Sequence, residues 1–130
     1  MSETPDPPPP PAVGELLPRV AEAFGVRYKL ETYSLDLAHE HGGPKARGFE
    51  LILGITIEAI DYLEAQIMTR ILDTPIREVR DNPPYGINCV VYMPIRGIGA
   101  HAQRVASVRT VWLIGDPGEQ PRLVTAFIDA

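Results

Sequence analysis

Two imidazoles and an ammonium group fall within the run His39-Glu40-His41-Gly42-Gly43-Pro44-Lys45. Imidazole titrates near neutrality, so either histidine is able to move a proton at physiological pH. Gly42 and Gly43 lack a Cβ and let a ligand approach the backbone closely. Pro44 suits the first turn of a helix. A helix starting there presents free N–H groups and the positive end of a dipole, and Lys45 adds a full charge. Proton transfer beside a held phosphate is the chemistry this combination points to. The run is not a P-loop, because the GxxxxGK[ST] spacing is missing. Nor is it a zinc motif, since no third ligand follows at a recognisable spacing. A structural alternative stands beside it: a polar turn whose glycines and proline only shape the backbone.

A second group of candidates lies near the C-terminus. In a strand over residues 104–114, Ser107 and Arg109 share one face, while Thr110 and Trp112 share the other. Arg109 falls between apolar neighbours, where a charge must be paired or exposed. On an open sheet face its guanidinium suits a phosphate or a developing oxyanion. Trp112 reads as core or as a platform for a nucleobase. Arg122 starts the next strand and Thr125 stands in its middle. Cys89, the single cysteine, lies on an apolar strand face and reads as a small buried hydrophobe. No pair of carboxylates stands out as a general acid and base. No metal site or cofactor is expected.

The elements that position these residues follow from periodicity. Leu16, Leu17, Val20 and Phe24 suggest a short helix over residues 13–24, stopped by Gly25. Residues 26–38 alternate apolar and polar, which predicts a strand or extended arm. Ala46, Phe49 and Leu53 predict a helix from Pro44 to a C-terminal stop at Gly54. Ile60, Leu63, Ile67 and Ile71 predict another, capped by Thr56 and ended by Pro75. The period then drops to two. Strands are predicted over residues 76–80, 87–95, 104–114 and 123–128, with a turn at residues 81–84. Ile87, Cys89, Val91, Met93 and Ile95 share one face of the second strand, and Pro94 marks an edge or strand end. Helices followed by hairpin-linked strands make an α+β domain, with N-terminal helices on a three- or four-stranded antiparallel sheet.

Composition bounds the rest. The chain has 130 residues, net charge −5 and 14 prolines. Residues 1–12 read as a Pro-rich disordered tail, and residues 13–130 as one domain. One cysteine excludes an internal disulfide. No apolar run is long enough to span a membrane and the start lacks a secretory pattern, so a cytoplasmic location is expected. Net acidity argues against a general nucleic-acid coat. The charge is uneven, however: residues 82–115 contain no acid and three arginines, Arg96, Arg104 and Arg109.

These residues also carry a family resemblance. Tyr33 through Phe49, with its His39-x5-Lys45-Ala46 spacing, and then Leu53-Gly54-Ile55, resemble the opening of a bacterial domain of unknown function, DUF6883. Val108-Arg109-Thr110-Val111-Trp112 and Pro121-Arg122-Leu123-Val124-Thr125-Ala126 resemble its end. Glu40 stands where the family pattern has Pro. The layout is similar to small ribonuclease toxins of the barnase-like and RelE-like kinds, which implies a metal-independent endoribonuclease of toxin type. On that expectation His39, Lys45, Arg109 and Thr125 are catalytic, Trp112 and Arg122 bind substrate, and the partners are RNA and a small antitoxin or immunity protein. The alternative is a non-catalytic protein-binding module, antitoxin-like, immunity-like or a phage accessory protein. Net acidity favours it, because an acidic protein can neutralise a basic partner.

Overall fold

The structure, a computed structural model, describes residues 9–129. Residues 1–8, most of the expected tail, lie outside the described residues. The helices come first: α1 (Val26–Lys29), α2 (Gly43–Gly48) and α3 (Ile60–Arg70). The strands follow: β1 (Glu78–Asn82), β2 (Gly86–Arg96), β3 (Val105–Ile114) and β4 (Arg122–Ile128). All neighbouring strands pair antiparallel in the order β1-β2-β3-β4. The fold is α+β, with a four-stranded sheet.

Two N-terminal expectations are overturned. The helix expected over residues 13–24 is reduced to a single tight turn, Val20–Glu22. The backbone before and after that turn bonds elsewhere. Gly14 N–H donates to Ile76 C=O at 2.9 Å, and Phe24 N–H to Pro121 C=O at 3.0 Å. Pro18 supplies no donor for a helix. The strand expected over residues 26–38 is a helix instead. α1 runs on into a π-helical turn, Leu30–Ser34, closed by Leu35 N–H on Leu30 C=O at 2.9 Å. Val26, Leu30 and Leu35 face the core at spacings of four and five, and the wide turn absorbs the extra residue. The apparent alternation was carried partly by Tyr28 and Leu37, both exposed.

The later elements follow the sequence closely. α2 continues through a second wide turn, Phe49–Leu53, and stops at Gly54 with φ 68°. α3 begins at Ile60 rather than at Thr56, because a 3-10 turn, Ile57–Ala59, intervenes and the Thr56 side chain caps nothing. β1 starts two residues late: both backbone groups of Ile76 are already bonded, to Gly14 and Glu15. It therefore extends through Asp81 and Asn82, which were expected in a turn. Pro94 pairs with Ser107 on β3, while β1 pairing on the other side of β2 reaches only Val90. Its missing N–H thus costs no ladder bond.

The sheet has two unlike faces. Cys89, Val91, Met93, Ile95, Val108 and Trp112 pack in one core with Leu30, Phe49, Leu53, Leu63, Ile67 and Ile71 from the helical side. Trp112 is fully buried; its Nε1–H donates to Thr110 Oγ1 at 2.8 Å, and Thr110 donates to Val91 C=O at 2.8 Å. That relay satisfies the indole N–H of Trp112 and the hydroxyl of Thr110 inside the core. The other face holds Tyr92, Arg109 and Phe127, which are direct partners across β2, β3 and β4.

A slip in register makes this second face. Val111 pairs with Thr125, but Trp112 pairs with Leu123, leaving Val124 as the extra residue of a β-bulge. Strict alternation would put Leu123, Thr125 and Phe127 on one face. The bulge leaves Leu123 in the core and turns Thr125 and Phe127 to the side of Arg109.

Trp112→Phe keeps the ring in the core and removes the donor to Thr110. It is expected to lower stability by about 1–2 kcal/mol in urea unfolding, with the fold retained. Burial pushes the Cys89 thiol up to about 11. The native protein is therefore expected to resist thiol-reactive reagents at pH 8 and to label rapidly once denatured. Because the buried thiol ionises later than the unfolded one, stability should fall as pH rises from about 9 towards 11.

Candidate functional site

α2 lies beside β4 and carries Lys45 to the edge of the second sheet face. Lys45 Nζ donates to the Tyr33 hydroxyl at 2.6 Å and reaches Thr125 Oγ1 at 3.5 Å. It also stands 4.6 Å from the centre of the Tyr33 ring and 4.9 Å from that of Phe127. Among the described residues no carboxylate comes within ion-pair distance of it. A half-buried ammonium without an anion is costly, and here two ring faces and two hydroxyl oxygens partly replace its water.

Arg109 continues the arrangement across β3. Its guanidinium is 5.6 Å from the Phe127 ring, and its Nε donates to the Tyr92 hydroxyl at 3.2 Å. Glu78 Oε2 is 3.8 Å from Arg109 Nη2, too long for a hydrogen bond. Arg77 closes the series, 5.0 Å over the Tyr92 ring. Three cations thus alternate with three aromatic rings: Arg77, Tyr92, Arg109, Phe127, Lys45, Tyr33. Two clefts flank the row. One, of 280 Å³, is lined by Lys45, Ile52, Phe127 and Ile128 among others. The other, of 370 Å³, is lined by Arg77, Glu78, Tyr92, Ser107 and Asp129.

His39 joins the end of the row through Tyr33, edge-on with ring centres 4.9 Å apart. Its Nδ1 accepts the N–H groups of His41 at 3.0 Å and Gly42 at 2.9 Å. That bonding places the proton of the neutral ring on Nε2. It also changes the reading of the glycine-rich turn. The amides expected to hold an anion are bonded to the His39 ring, and Gly43 N–H donates to His39 C=O at 2.8 Å. The glycines serve close packing instead: a Cβ on Gly42 would lie 2.1 Å from the Tyr33 carbonyl oxygen, and one on Gly43 2.9 Å from that of Leu37.

The structure brings Lys45, Thr125 and Arg109 onto one surface and links His39 to it through Tyr33. Trp112 is not there: it is fully buried and has no ring face to offer a base. Arg122 lies beyond the bulge with its stem against Gly25, where an added Cβ would meet its Cγ at 3.1 Å. Sequence reading missed Tyr33, Tyr92, Phe127 and Arg77. The signal for Tyr92 and Phe127 was cross-strand register with Arg109, which a single strand read alone does not contain.

The model of one protein family, described as a domain of unknown function (DUF6883), matches residues 16–130. The chain belongs to the DUF6883 family. The match takes in every residue of the cation–aromatic row. Comparison with curated proteins and with solved structures gives no match. Among the described residues of this DUF6883 chain, no helix is long and apolar enough to cross a membrane. No cluster of three metal-ligating side chains occurs among them either.

Gly42→Ala is expected to force the Tyr33 backbone away from α2 and to cost about 1–3 kcal/mol in chemical denaturation. Gly48→Ala, where an added Cβ meets nothing within 4 Å, should be neutral or stabilising.

Proposed function

We propose that this DUF6883 domain binds single-stranded RNA across its open sheet face and cleaves it without a metal ion. One observation carries the reading: the unbroken alternation of Arg77, Tyr92, Arg109, Phe127, Lys45 and Tyr33. Single-stranded nucleic acid is recognised by cations that track its phosphates and aromatic rings that stack its bases. The acidity of the whole chain does not oppose this, because the acid-free stretch of residues 82–115 forms β2 and β3, the middle of the face.

In this reading Lys45 and Arg109 stabilise the charge that develops on the scissile phosphate. The Thr125 hydroxyl, held near Lys45, orients a phosphate oxygen. His39 has a narrower role than a free imidazole. With Nδ1 committed to two backbone amides, its contribution is a hydrogen bond donated from Nε2–H to the substrate. Trp112 has no part in substrate binding. A cognate antitoxin or immunity partner would cover the same face.

The test is cleavage of unstructured RNA in the presence of EDTA, together with growth arrest on expression. Lys45→Met should abolish both in a folded protein. His39→Asn keeps an oxygen for the His41 and Gly42 amides but removes the ring N–H, so it should lose cleavage and keep its stability. His39→Ala loses the turn bonds as well, at about 1 kcal/mol. Binding of single-stranded RNA should weaken with salt at a log–log slope of about −2, as three phosphate contacts imply. A product that is well tolerated, cleaves nothing and binds no RNA at low salt would sink the reading and favour a non-catalytic module.

A further inference from the structure

The cleft beside Tyr92 has a chemistry that the rest of the row lacks. Its lining combines a guanidinium–ring stack, Arg77 on Tyr92, with the carboxylates of Glu78 and Asp129 and the hydroxyl of Ser107. Carboxylates are out of place on a surface that only holds phosphate, since they repel it. They fit a surface that reads the donor edge of a base.

The two acids are not consumed by their neighbours to the same extent. Glu78 Oε1 accepts from Arg80, at 2.9 Å from Nε and through a second, closer bond from Nη2. Glu78 Oε2 has only Arg109 nearby, at 3.8 Å. Asp129 is anchored by its backbone, N–H to Ser107 C=O at 2.9 Å, and its carboxylate has no hydrogen bond among the described residues. Acceptor capacity therefore points into a cleft that also holds cationic donors.

We infer that this cleft is a base pocket selective for guanine within single-stranded RNA, the inference resting on the RNA-binding reading above. Guanine is the one common base whose Watson–Crick edge sets two adjacent N–H donors beside a carbonyl oxygen. The Asp129 carboxylate, free of other side-chain bonds among the described residues, accepts both donors in a bidentate pair, and an arginine donates to the carbonyl. Adenine offers a single donor group there, and uracil a single N–H between two carbonyls. Both leave one of the two acceptor oxygens unpaired beneath the bound base, and that is the basis of discrimination. The base plane lies against the Arg77 guanidinium stacked on Tyr92.

The experiment compares fluorescein-labelled pentaribonucleotides UUGUU, UUAUU and UUIUU by anisotropy at low salt, the third carrying inosine. The guanine oligomer should bind about tenfold more tightly than the adenine one, as a bidentate base contact implies. Inosine, which lacks only the exocyclic amino group, should fall with adenine. Asp129→Asn should bring the affinity for UUGUU down towards that for UUAUU, because it removes the free acceptor pair. Equal binding of all three oligomers by the wild-type chain would overturn the guanine pocket and leave RNA binding standing. No binding of any oligomer would overturn both.

Discussion

One extra residue in the last strand decides what the two faces of the sheet contain. Val124 interrupts the pairing of β4 with β3, so Leu123 stays in the core while Thr125 and Phe127 emerge beside Arg109. Without that slip the aromatic ring between Arg109 and Lys45 would be on the wrong side, and the cation–aromatic row would break in the middle. Bulges commonly re-aim side chains next to functional sites, at the cost of a locally disrupted ladder. Here the adjoining Trp112–Thr110 relay bonds the polar side chains on the core side of the bulge.

The helical half supports the same surface from its edge. β4 would be an open edge, a liability for pairing with other chains. It is covered by Phe24, which bridges to Arg122, and by α1 and α2. Covering the edge and delivering Lys45 are the same act, because the α2 backbone that sits beside β4 carries that side chain. Its approach depends on Gly42, whose missing Cβ admits the Tyr33 carbonyl. The wide turn that ends in Ser34 places Tyr33 under Lys45. Local geometry in three separate segments, a wide turn, a glycine contact and a bulge, converges on one ammonium group.

The candidate site was partly legible in the sequence. Lys45, Arg109 and Thr125 were singled out by residue type, and they share the surface. His39 was singled out as a proton carrier, yet its ring mainly locks the turn through Nδ1. Both uses follow from the same imidazole nitrogens, and only the position of the backbone amides distinguishes them. Trp112 was left open between core and platform, a choice set by which face of β3 meets the helices.

By itself the sequence determined the class of the fold, the order of its elements from residue 44 onward and the apolar face of the long second strand. Those depend on local periodicity, which a chain carries wherever it goes. The helix at residues 26–34 was missed because its apolar residues are spaced by four and five, a pattern that mimics alternation when read without the wide turn. Tertiary structure alone decided the composition of the second face. Tyr92, Arg109 and Phe127 are separated by long stretches of chain, and only antiparallel register makes them neighbours. Register is a property of pairs of strands, and a bulge shifts it by one residue, which no single segment records.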